Sequence, residues 1–182
     1  MRKVMKAASI FTVIFSAFLS FVQGGDSPYV GQEKNEIKAL SSEEVQRYLA
    51  GEGMGLAKAA ELNYYPGPKH VIDLAKELRL SKEQFAKTKE VHNRMHKEAV
   101  RLGKVIIEKE KVLDSLFSDR KIDETQLRVL ALDIGRLQGE LRFVHLQAHL
   151  EMKRVLSPDQ VNKYDELRGY QSSETRKSLR HH

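Results

Sequence analysis

Cysteine is absent from the chain. That excludes a disulfide framework, thiolate nucleophiles, thiol redox chemistry and lipid attachment at a cysteine. Tryptophan is absent too, and there are only four prolines. With little proline to interrupt them and few β-branched runs, the segments read as helix. No HExxH pattern offers hydrolytic zinc chemistry. The glycines at 51, 53 and 55 have no strand before them and no GKS or GKT after them, as a phosphate loop would need. The chain therefore reads as a non-enzyme that binds no nucleotide. At 31% charged and 41% apolar residues, it suits a folded soluble protein.

The amino terminus is the one strongly apolar stretch. Arg2, Lys3 and Lys6 precede an apolar run at residues 7–22, and Gln23-Gly24 follow. This is the layout of a secretory signal peptide cleaved near Gly24. Sixteen apolar residues fall short of the roughly 20 that span a bilayer, so a retained anchor is the weaker alternative. The intact chain has 31 basic and 25 acidic residues, a net charge of +6. Removing the three leading cations leaves 28 against 25, a net of +3. Nucleic-acid binding loses most of its compositional support.

The chain divides into a signal segment (1–24), an N-terminal extension with short helices and a glycine-rich segment (25–66), a helical domain (67–168) and a polar tail (169–182). Residues 25–40 read as loose. Short helical patterns follow at Val45–Leu49 and within 56–62, and another is expected from Pro68 through Val71, Leu74, Ala75 and Leu78.

Two similar pentads frame the helical domain: Leu80-Ser81-Lys82-Glu83-Gln84 and Leu156-Ser157-Pro158-Asp159-Gln160. In each, the serine caps a helix and the glutamine reaches back to the cap amide. Pro158 suits the first helical position, and each leucine can staple against the first turn. From Ser81 to about Leu116, Phe85, Thr88, His92, Met95, Ala99, Leu102, Ile106, Lys109, Leu113 and Leu116 recur at spacings of three and four. Residues 117–123 break the pattern, with Asp123 as the next cap and Gln126 at its box position. A second stripe then runs through Leu127, Leu130, Ile134, Leu137, Leu141, Val144, Ala148 and Val155. Gly135 and Gly139 lie beside it and allow a close approach. Two helices of about 35 residues, each roughly 50 Å long, joined by a short turn must form an antiparallel hairpin. The fold class is all-α: a long hairpin with short flanking helices. One hairpin cannot cover both sides of its stripes, so a homodimer is expected.

Four histidines carry the functional signal. His92 and His96 share one helix face, as do His145 and His149. The midpoint of 92 and 149, and that of 96 and 145, is 120.5, inside the turn. Both pairs therefore stand at one height. Neutral imidazoles suit zinc, nickel, cobalt or copper, with Met95, Glu98, Glu151 and Met152 as reserve ligands. Two other readings stay open: outward-facing or hydrogen-bonded histidines, and a protonation switch in acid.

These pentads, the signal segment, the lack of cysteine and the hairpin between the motifs resemble the periplasmic LTxxQ-type proteins. That family includes the Spy/CpxP stress chaperones and relatives associated with zinc, nickel and cobalt resistance. The resemblance covers residues 68–168, with serine in place of the usual threonine. It implies a periplasmic, cradle-shaped homodimer acting in heavy-metal resistance or envelope stress sensing, with a membrane sensor protein or unfolded envelope proteins as partners. It makes Phe85, Arg94, Met95, Lys97, Arg101 and Lys104 candidates for client binding. It places metal on His92, His96 and His145, with His149 where the relatives have a soft ligand. A carboxylate further along the first long helix completes the relatives' site. Here Glu108 and Glu110 are the nearby candidates, and Leu113 stands near the expected place. The alternatives to a metal-binding role are an ATP-independent chaperone and a structural helical adaptor.

Overall fold

The computed structural model describes residues 27–170. Residues 1–26, where the signal segment is expected, and residues 171–182 lie outside the described residues. Residues 27–30 belong to a unit of their own and form one turn, in which the Val30 amide donates to the Ser27 carbonyl at 3.0 Å. From Gly31 onward the described chain forms a 3₁₀ turn (Gln32–Lys34) and six helices. These are α1 (Ser42–Leu49), α2 (Lys58–Glu61), α3 (Pro68–Asp73), α4 (Lys82–Ser118), α5 (Glu124–Val155) and α6 (Pro158–Leu167).

Four of these helices begin with a reciprocal capping box. The pairs are Ser41 with Glu44, Ser81 with Gln84, Asp123 with Gln126, and Ser157 with Gln160. Each satisfies two amides that a helix start would otherwise leave without a partner. α4 and α5 pack along each other as a hairpin, joined through residues 119–123. Arg120, in that connection, takes the left-handed conformation (φ 56°).

The seam is apolar. Ala99, Leu102 and Ile106 of α4 pack with Leu137 and Leu141 of α5. Val91 packs with Ala148 and Met152, and α3 and α6 add Val71, Val161 and Tyr164 at the open end. Each fully buried aliphatic side chain here contributes about 1.5–3 kcal/mol. Phe85 and Leu127, expected on the buried stripes, sit toward helix ends and stay 37% and 39% exposed.

The two pentads do more than cap. The Gln84 amide donates to the Gln160 side-chain oxygen at 2.8 Å, and the Gln160 amide returns a bond to Gln84 at 3.0 Å. Gln84 also donates to the Val155 carbonyl and Gln160 to the Leu78 carbonyl. The starts of α4 and α6 are thus locked to each other, 76 residues apart.

The structure departs from expectation in three further respects. Residues 31–40 are docked rather than loose: Ile37 and Leu40 are buried against Ile107 of α4. α3 ends at Asp73, and turns carry the chain through Leu78, which is still buried. The close backbone approach occurs at Gly103, not at Gly135 or Gly139. A Cβ on Gly103 would collide with the Tyr48 carbonyl of α1, whereas one on Gly135 or Gly139 would meet open space.

Candidate functional site

α4 and α5 bring all four mid-chain histidines to one cleft of about 1000 Å³, which Met95 also lines. His92 and His96 stack nearly parallel, with ring centroids 5.9 Å apart and planes 5° apart. That follows from their spacing of four on a straight helix. Opposite them His145 and His149 are 4% and 8% exposed. The connection at 119–123 contains the midpoint computed from the sequence, so the register expected for the pairs is the one observed.

The glycine-rich stretch lies directly on this layer. A Cβ on Gly51 would stand 3.1 Å from Nδ1 of His96 and 2.9 Å from Val100. One on Gly53 would stand 3.7 Å from Nδ1 of His145, and one on Gly67 3.0 Å from Cε1 of His149. Residues 51–67 therefore form a strap over the histidines, and at Gly51 and Gly67 the missing side chain lets its backbone come that close. Gly51 also has φ 62°, a conformation that favours glycine.

The ring nitrogens differ in state. Nδ1 of His149 lies 2.7 Å from the Tyr65 carbonyl. A carbonyl only accepts, so Nδ1 carries the proton, and in the neutral ring Nε2 keeps its lone pair. Nε2 of His145 is buried with no hydrogen-bond partner. Burial, with His149 and His96 nearby, lowers the His145 pKa to about 4. At neutral pH its ring is uncharged, with one nitrogen free to act as a ligand. An unpaired buried ring nitrogen is costly, about 1–3 kcal/mol, which makes it a natural place for an ion or a donor to bind.

Four imidazoles line one cleft, one tautomer is fixed by a carbonyl, and one ring nitrogen is orphaned, the residue types that hold a borderline divalent metal. Among the described residues, no three His, Cys, Asp or Glu side chains form a group placed to hold a metal ion.

The reserve ligands scatter. Met152 is fully buried in the core beside Val71 and Tyr164. Glu98 is paired with Arg101 at 3.0 Å, and Glu151 with Arg94 at 2.5 Å. Both carboxylates line a separate groove with Arg94, Lys97 and Met95. Glu108 is exposed and lines a small apolar groove with Lys104. Glu110 is 8% exposed, and burial raises its pKa. Neither of these two glutamates lines the histidine cleft. Of the remaining client-binding candidates, Arg101 is held by Glu98, and Phe85 has the Lys89 ammonium over its ring at 5.7 Å.

Two cleft residues carry no signal in the sequence reading. His70 of α3 lines the cleft, and burial and Arg168 lower its pKa. Glu61 of α2 lines it as well, beneath Gly67. Both stand on short elements whose placement depends on contacts distant in sequence. No family model, curated protein or solved structure matches this chain.

Proposed function

We propose that this protein is a periplasmic transition-metal-binding protein of the Spy/CpxP type, acting in heavy-metal resistance or envelope stress sensing without catalysis. The observation that carries the reading is the orphaned, buried Nε2 of His145 in a cleft shared with His92, His96 and His149. These four side chains hold the ion, with Met95 at the margin of the same cleft. Zinc, nickel, cobalt and copper all accept imidazole nitrogen. Bound there, the ion would join α4 to α5 through four side chains, so metal level becomes a change in hairpin stability. A membrane sensor protein is the partner that would read such a change.

The cradle-shaped homodimer belongs to the same proposal. α5 has a second apolar row, opposite its core face. Leu132 is 64% exposed, Phe143 60% and Leu150 48%, and Gly135 and Gly139 stand in open space on the same side. A helix apolar on two faces suits burial on both. A second copy of the chain is the occupant in this reading. Unfolded envelope proteins are the occupant in the chaperone alternative.

Calorimetric titration with zinc, nickel, cobalt and copper, beside a variant with all four histidines changed to glutamine, tests the metal reading. Stoichiometric binding that the variant loses is the expected result. A folded wild-type protein that binds none of the four ions would refute it. Suppression of client aggregation retained by the four-histidine variant would favour the chaperone alternative.

A further inference from the structure

We propose that Glu61, carried by the strap rather than by the hairpin, supplies an oxygen donor to the ion held in the histidine cleft. This rests on the metal-binding reading above and deepens it. It makes the strap part of the site and sets the class of ion: a divalent metal that takes mixed nitrogen and oxygen donors, such as nickel, cobalt or zinc, in preference to copper(I).

The argument begins with how Glu61 is held. Its side chain is 14% exposed, unusual for a glutamate on a one-turn helix. Three donors from α6 and the residues that follow it converge on Oε1. Tyr164 donates its hydroxyl at 2.6 Å, Tyr170 its hydroxyl at 2.9 Å and Arg168 its Nε at 3.3 Å. Both tyrosine pKa values are raised, first by burial and then by this carboxylate, so both hydroxyls keep their protons to donate. With Oε1 so engaged, Oε2 is turned toward the His149 ring, 3.7 Å from the protonated Nδ1 that donates to the Tyr65 carbonyl, which leaves Nε2 as the ring's ligand atom. Oε2 and Nε2 of His149 each lie 3.2 Å from one point, the place a Cβ on Gly67 would take. Glycine at 67 keeps that place free of a side chain.

Oriented carboxylates of this kind are the usual oxygen ligands of transition metals. One oxygen is fixed by protein donors and the other faces the ion. The other carboxylates nearby are committed elsewhere. Glu52 pairs with Arg47, Glu90 with Lys87 and Arg94, Glu98 with Arg101, and Glu151 with Arg94. Asp73 pairs with Lys69 and lies 3.8 Å from Nδ1 of His70, so Glu61 alone among these points an oxygen at one of the four mid-chain histidines. Arg168 offsets its charge from the Oε1 side, which makes a buried carboxylate tolerable before an ion arrives.

The test measures cobalt(II) and copper(I) affinities of the full chain by chelator competition, together with the cobalt d–d spectrum. The proteins are wild type, Glu61→Gln, Tyr170→Phe and the four-histidine variant. Glu61→Gln is expected to lower cobalt(II) affinity by at least about tenfold and to shift the d–d bands. Copper(I), which does not seek a carboxylate, should bind Glu61→Gln as it binds wild type. Tyr170→Phe removes one donor to Oε1 and keeps the carboxylate, so its bands should match wild type. Wild-type cobalt affinity and spectrum in Glu61→Gln would overturn the inference and leave the metal reading standing, provided the four-histidine variant loses binding. Equal losses for cobalt and copper(I) in Glu61→Gln would also overturn it, since they mark a packing role. A wild-type chain that binds neither ion overturns both.

Discussion

The reciprocal pair Gln84–Gln160 makes a quantitative claim about stability. Each side-chain amide has two donors and two acceptor sites. Gln84 accepts from the Ser81 amide at 3.0 Å, donates to the Val155 carbonyl at 2.9 Å, and shares two bonds with Gln160. Gln160 accepts from the Ser157 amide at 2.9 Å, donates to the Leu78 carbonyl at 3.1 Å, and shares the same two. Replacing either by methionine keeps the length and removes four hydrogen bonds. At about 1 kcal/mol each, either single variant should lose about 4 kcal/mol. The double variant loses six distinct bonds, so it should lose about 6 rather than 8 kcal/mol. The interaction energy is therefore about 2 kcal/mol. Urea unfolding followed by circular dichroism measures all four proteins. Losses that add, with an interaction energy below about 0.5 kcal/mol, would mean the amides do not pair and each pentad acts as a cap alone.

Two further predictions concern glycine and a buried acid. Gly103→Ala should destabilise by about 1–3 kcal/mol, because its methyl group strikes the Tyr48 carbonyl. Gly139→Ala, in open space within α5, should stabilise by about 0.5–1 kcal/mol; thermal melts compare the two. Burial raises the Glu110 carboxyl above its ordinary value of 4.5, so the native state holds this proton at pH values where the unfolded chain has lost it. Wild type therefore gains stability from this group as pH falls through its folded pKa toward 4.5. Glu110→Gln should be more stable than wild type at pH 7, with the gap closing as pH approaches 4.5. A gap that stays constant over that range would show that the carboxylate is not disfavoured in the fold.

What the sequence discloses here follows the range of each interaction. The helix starts were readable because a cap and its box partner lie three residues apart, as at Ser81 and Gln84. The histidine layer was readable because an antiparallel hairpin converts a midpoint into a register. Contacts set by distant packing were not. A glutamine that closes a box looks the same whether or not it also meets a second glutamine 76 residues away. Gly135 and Gly139 have the spacing of close-approach glycines but face outward, while the isolated Gly103 takes α1. Ile37 and Leu40 are two apolar residues in a polar stretch, too few for periodicity, yet both find Ile107. The strap's place on the histidines was equally hidden, since its glycines fit a turn as readily as they fit under an imidazole.

The amide lock also changes the chain's topology. It closes a ring of 76 residues whose far side is the tip at 119–123. Closing a ring of that size costs about 4 kcal/mol of chain entropy, a cost offset only when both pentads are helical together. A free helical hairpin frays from its open end, where nothing holds the two helices side by side. Here that end is fastened and covered by α6, while Phe117 and Val129 at the tip remain 53% and 54% exposed. Local opening should start at the tip and travel inward, reaching the histidine layer before the lock.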